Sequence, residues 1–170
     1  MSEKQLIKEN GNSILNQDKY FYLIVIGSKV SILSSGRSKS EVKKDAIHTI
    51  FKKSKNISSF NDKTIYRITI RKVTKEEKQE EKDSKGISFV GGPIVAVIED
   101  IRVKINENNK VKFENIGQLG NSKVFLNNKY LKKYNSIDNS HIKKIAYAYN
   151  KNITNSAFAV NTITNILRKV

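Results

Sequence analysis

Hydrophobic and polar positions divide this chain into segments of different period. From residue 39 onward, Val42, Ala46, Ile47, Ile50 and Phe51 recur at helical spacing, while Lys44, His48, Lys52 and Lys55 share the opposite side. Ser38 is a good N-cap and Glu41 completes a capping box, so the pattern predicts a helix over 39–53 with one packed and one cationic face. Ile65 to Val73 alternates instead: Tyr66, Ile68 and Ile70 point one way, Arg67, Thr69 and Arg71 the other. That predicts a strand with an apolar back and a front suited to polyanions. The unbroken apolar run from Tyr20 to Ile26 predicts a strand buried on both faces, and Gly27-Ser28 a tight turn into a second strand at Val30 to Leu33.

The second half repeats the strand pattern and then changes character. Residues 75–85 contain no apolar side chain and read as a solvated hairpin tip, whose five acids can shield neighbouring lysines or repel nucleic acid. A short strand is expected at Gly86 to Val90, broken by Gly91-Gly92-Pro93. Ile94 to Ile98 is again continuous, after which Ile101, Val103 and Ile105 alternate with Arg102 and Lys104, and a turn at Asn106 to Asn109 leads to Val111 and Phe113 facing inward. The adjacent pair Glu99-Asp100 reads as a strand end. Val124 to Leu126 adds an edge strand. Ser140 is expected to cap a helix through Tyr149, and Asn155 or Ser156 another through Arg168 in which Val160, Ile163 and Leu167 align.

These segments predict an α+β protein: a small antiparallel β pseudo-barrel or curved sheet with one packed helix, followed by basic C-terminal helices. The organisation expected is a flexible polar arm at 1–18, a β-rich domain at 19–126 and a basic helical extension at 127–170 that could cover the sheet, reach along DNA or dock on a neighbour.

Charge gives the pattern a direction. The 170 residues carry 32 Lys and Arg against 16 Asp and Glu, a net of +16. Abundant Lys, Asn and Ile reflect a coding bias toward A and T, but that bias supplies glutamate as readily as lysine, so the excess of base points to an anionic partner. Residues 19–75 hold 14 bases and 3 acids, a net of +11, and residues 121–170 hold nine bases and only Asp138. Over 87–120 the net is zero, which marks that part as scaffold. Cysteine is absent, so no disulfide, cysteine-type zinc site or thiol nucleophile can form. His48 and His141 have no partner at ligand spacing, Gly36-Arg37-Ser38-Lys39-Ser40 lacks the second glycine of a phosphate loop, and neither an enzyme nor a cofactor is expected. No apolar run is long enough to span a bilayer, and the N-terminus shows no signal-peptide core, so the protein is expected inside the cell, nucleoid-like or virion-associated, and not secreted.

The residues expected to neutralise phosphates are Arg37, Lys39, Lys44, Lys52, Arg67, Arg71 and Lys72. Arg37 and Lys39 flank a helix start, where backbone amides favour anions. Phe60, Tyr130, Tyr134, Tyr147 and Tyr149 lie near bases and could stack or wedge, although each is more readily read as structural.

The order of strand, hairpin, Gly36-Arg37-Ser38, basic helix, Arg67 and Arg71 on one strand, then Lys85, Phe89, Gly91 and Pro93, resembles the small non-histone chromosomal proteins of methanogenic archaea and related giant-virus domains. The resemblance covers about residues 20 to 115. It implies a compact β pseudo-barrel with one helix, and architectural binding of duplex DNA with bending and little sequence preference. The chain departs from that pattern in having no tryptophan, an acidic hairpin tip and the helical C-terminus. Duplex DNA is therefore the favoured partner. A structural virion or capsid assembly role, with virion or capsid proteins as partners, and a ribosomal or other RNA-binding role are the alternatives.

Overall fold

The computed structural model describes residues 18–53, 57–77, 94–116, 123–126, 136–152 and 155–169. In chain order these hold β1 (Lys19–Ile26), β2 (Lys29–Gly36), α1 (Lys39–Lys53), a 3-10 turn (Ile57–Phe60), β3 (Thr64–Lys72), β4 (Ile94–Ile105), β5 (Val111–Asn115), β6 (Lys123–Leu126), α2 (Asn139–Lys151) and α3 (Ser156–Arg168). The expected arm up to residue 17, the short strand at 86–90, the glycine-proline break, Lys55, Tyr130 and Tyr134 lie outside the described residues.

Among the described residues all strand pairings are antiparallel, in the order β2-β1-β3-β4-β5, with β6 also paired to β4. β4 is long enough to take two partners along one side: residues 94–97 pair with β6 and 101–105 with β5. Glu99 and Asp100 are thus in the middle of a strand and not at its end, a correction to the sequence reading. The apolar run and the alternating run beside them are one continuous strand. The fold is α+β as expected, but its sheet is open. It does not close into a pseudo-barrel: α2 and α3 pack on one face and α1 on part of the other, so the apolar positions are buried by helices and not by curling.

Strand alternation divides the core in two. On one face Phe21, Leu23, Tyr66, Ile68, Ile70, Ile94, Ala96, Ile98 and Val124 pack against α2 and α3 through Ile142, Ile145, Ala146, Tyr149, Ile163 and Leu167. The other face sets Tyr22, Ile24, Leu33, Ile65, Ile101 and Val103 against Val42, Ala46 and Ile50 of α1. The run at Tyr20 to Ile26 is unbroken because β1 serves both clusters. The C-terminal helices cover the sheet.

Local signals explain most element ends. α1 begins at Lys39 with the Glu41 amide donating to Ser38 Oγ at 3.5 Å. Ile47 is half-buried and Phe51 is 44% exposed, so the packed face is narrower than its sequence stripe. α2 is capped by Asp138 and not Ser140: the Asp138 carboxylate accepts from the His141 amide, and His141 Nδ1 accepts from the Asp138 amide, both at 3.1 Å. Asn155 caps α3. Gly27 turns the first hairpin at φ +62, a conformation glycine adopts without a Cβ clash. Gly36 is required for space. A Cβ there would sit 2.9 Å from Val42 Cγ2, against the α1 core. Gly36→Ala is expected to lower stability by about 1–3 kcal/mol, the usual cost of overpacking, read from denaturant melts; a variant as stable as the parent would show that α1 can move off β2.

Candidate nucleic-acid interface

α1 covers only part of its face of the sheet. Beyond its N-terminus a groove of about 290 Å³ stays open, lined by Tyr20, Lys39, Arg67, Thr69, Arg71, Val97, Glu99 and Lys123. β3 supplies Arg67, Thr69 and Arg71 at every second position, as alternation requires. β6 supplies Lys123, and the first residue of α1 is Lys39. Four cations from three elements thus meet in one depression.

Carboxylates hold the two arginines. Arg67 and Glu99 are directly opposite in the β3–β4 register, and Arg67 Nε donates to Glu99 Oε2 at 2.6 Å. Arg67 also reaches the Tyr22 hydroxyl at 3.4 Å, and Asn115 donates to the other Glu99 oxygen at 3.3 Å. Arg71 holds Glu77 in a fork, Nη1 to Oε1 at 2.6 Å and Nη2 to Oε2 at 2.9 Å. Lys123 Nζ lies 2.8 Å from the same Oε2. The Thr74 amide donates to Glu77 Oε1 at 3.0 Å, while the Glu77 amide donates to Thr74 Oγ1 at 3.2 Å. Residues 75–77 are therefore a helical turn opened by a Thr-x-x-Glu capping box, with Glu77 only 6% exposed, where the sequence reading placed an unstructured tip. The acidic segment was expected to shield neighbouring lysines; Glu77 pairs with Arg71 above all and with Lys123. Hydrogen bonds from Arg71 above all, with Lys123 and the Thr74 amide, outweigh desolvation and hold the Glu77 carboxyl far below the usual carboxylate range.

Of the seven residues expected to bind phosphate, the groove brings together Lys39, Arg67 and Arg71. Arg37 is exposed immediately before α1, and its charge, after burial, lowers the Lys19 ammonium pKa. Lys44 and Lys52 are exposed on α1, and Lys72 is exposed at the last position of β3, alternating away from the arginines. Lys123 and Glu99 were missed because their place depends on strand register. Glu77 could have been found from Thr74 three residues before it. Among the candidate stacking residues, Tyr149 is buried, Tyr147 and Phe60 are half-buried, and Tyr66 is in the core as expected. No group of metal-ligating side chains occurs among the described residues.

A second polar cluster lies inside the other core. Asp100 is 4% exposed, accepts from the Tyr149 hydroxyl and leaves Oδ1 without a protein partner. Tyr149 meets Tyr66 edge to face at 5.3 Å, and Asn150 donates to the Tyr66 hydroxyl at 2.7 Å. Burial raises the Asp100 pKa above its ordinary 3.8, more than the Tyr149 hydrogen bond lowers it. The folded state therefore favours the neutral acid: its stabilisation is full below pH 3.8 and is lost as pH rises through the folded value. Asp100→Asn is expected to melt higher than the parent at pH 7, with the gap closing toward pH 3.8. Equal melting temperatures at pH 7 would show that the ionised carboxylate is satisfied. Glu77 has the opposite sign, stabilising above its ordinary 4.5 and losing that contribution as pH falls through its depressed folded value.

The chain matches no protein-family model, no curated protein and no solved structure. No helix among the described residues is long and apolar enough to cross a membrane.

Proposed function

We propose that the protein is an architectural DNA-binding component that seats a duplex backbone along the cationic groove and reads little base sequence. The observation that carries this reading is the convergence of Lys39, Arg67, Arg71 and Lys123 on one open depression. Against them stand Glu99 and Glu77, with Asp18 at the Tyr20 edge, so the described groove keeps a net charge of about +1 within a chain of +16. The carboxylates also hold the guanidinium planes, so less side-chain freedom is lost when a phosphate arrives. Among the described residues Tyr20 is the groove's one ring, and its hydroxyl donates to Asp18 at 3.1 Å, which favours phosphates over stacked bases as the ligand. The resemblance to archaeal chromosomal proteins implies the same activity, although the open sheet is not the pseudo-barrel it also implies. Packaging of viral or chromosomal DNA is the role such binding would serve.

Competition binding tests it. Duplexes of unrelated sequence are expected to bind within about threefold of one another and ahead of matched RNA and a simple polyanion, since backbone contacts carry no sequence information. A preference for RNA would move the assignment to an RNA-binding component.

One observation favours the virion-assembly alternative. On the far side of the sheet a cleft of about 450 Å³ is lined by Ser28, Val30, Lys143, Tyr147, Thr162 and Ile166 among others, and Phe158, one turn before Thr162 on α3, is 56% exposed. An apolar floor with a lysine rim suits an acidic protein segment. Binding no better to duplex than to the polyanion, with copurification in a capsid shell, would favour that role.

A further inference from the structure

Glu77 occupies a place built for an oxyanion. Its carboxylate is nearly buried and collects a forked pair of bonds from Arg71, a lysine contact from Lys123 and a backbone amide from Thr74. A carboxylate needs much less than this to cap a turn: the Thr74 amide alone completes the capping box. Forked guanidinium, ammonium and amide donors together are the set that recognises a phosphate. The occupant comes from six residues along the same chain as Arg71. Thr74, Lys75 and Glu76 before it are exposed, so the carboxylate can leave without parting any strand or helix from the two cores.

We propose that Arg71, Lys123 and the Thr74 amide form a phosphate subsite of the groove, and that Glu77 is its tethered stand-in, displaced when a phosphodiester backbone binds. This rests on the reading of the groove as a polyanion site and adds its control. Exchanging one anion for another at the same donors is close to neutral, so the remaining groove contacts to Lys39 and Arg67 tip the balance. A long polyanion that engages several cations opens the subsite, whereas a single small anion does not. Glu77 thereby sets a threshold that rejects isolated phosphates and acidic metabolites.

The test uses the full chain with Glu77→Ala and, to keep the turn's shape, Glu77→Gln. Inorganic phosphate is titrated while the Thr74 amide is followed by NMR, and duplex binding is measured in parallel at about 0.1 M salt. The Thr74 signal is expected to shift saturably in Glu77→Ala and to need at least tenfold more phosphate in the parent. Duplex affinity is expected to rise about eightfold in either variant, because no tethered carboxylate then has to be displaced, a gain about the size of one phosphate contact. The proposal is overturned if Thr74 responds alike in parent and variant and neither variant binds duplex more tightly while both remain folded, because Glu77 is then only a brace. A phosphate response in Glu77→Ala without duplex binding by any form supports the subsite and removes the DNA reading, so the two claims fail separately.

Discussion

Ile145→Ala is expected to cost the protein about 2–5 kcal/mol, and a chain ended at residue 135 to lose cooperative unfolding altogether. Ile145 is fully buried where α2 lies on the sheet, in the cluster containing Phe21, Leu23, Ile68, Ile70 and Ile98. Truncation there leaves a cavity in a close-packed interior, and the sum of lost transfer energy and cavity gives the quoted range. Ending the chain before α2 removes Ile137, Ile142, Ile145, Tyr149, Ile163 and Leu167 together, and exposes the apolar face of β1, β3 and β4 to water. Chemical melts read the first effect; loss of a sigmoidal melt with binding of a hydrophobic dye reads the second. A truncated chain that melts cooperatively within a few degrees of the parent would mean that the sheet and α1 stand without the C-terminal helices.

The double variant Arg67→Ala, Arg71→Ala is expected to weaken duplex binding about sixtyfold at 0.1 M salt, from two phosphate contacts at about −0.9 log unit of slope each. The loss is expected to be the same for every sequence, since phosphates carry no base identity. Alanine at Arg71 also strands the buried Glu77 carboxylate with Lys123 and Thr74, so thermal melts must accompany the binding curves. Lys39 is in no ion pair among the described residues, so Lys39→Gln is the milder control, with a loss of about eightfold expected from one contact. Affinity unchanged in the double variant would place binding elsewhere on the molecule.

How much of this could be read from the residues follows from the range of the interactions. β1, β3 and α1 were legible because their periods are local: an unbroken apolar run, a strict alternation, and a 3.6-residue stripe behind Ser38. The front of β3 was legible for the same reason. Its partners were not, because Arg67 meets Glu99 only through a register 32 residues away, and Tyr66 meets Asp100 through the same register. Two neighbouring carboxylates on one strand necessarily face opposite ways, one into the cationic groove and one under Tyr149, which is why a pair that looked like a strand end has two separate roles. Glu77 was hidden by composition. Its segment has no apolar residue, and its carboxylate is held by Arg71, Lys123 and the Thr74 amide. The openness of the sheet could not be read at all, since it depends on α2 and α3 occupying the face that a barrel would have enclosed.

The most direct measurement of the central claim is duplex affinity by fluorescence anisotropy across a salt series, for the parent and for the Arg67→Ala, Arg71→Ala variant side by side. With four groove cations neutralising phosphates, the parent's log-log slope is expected near −3.5 and the variant's near −2, from about −0.9 per contact. A shallow parent slope, or the same slope in both proteins, would contradict the assignment of the groove as the site where DNA is held.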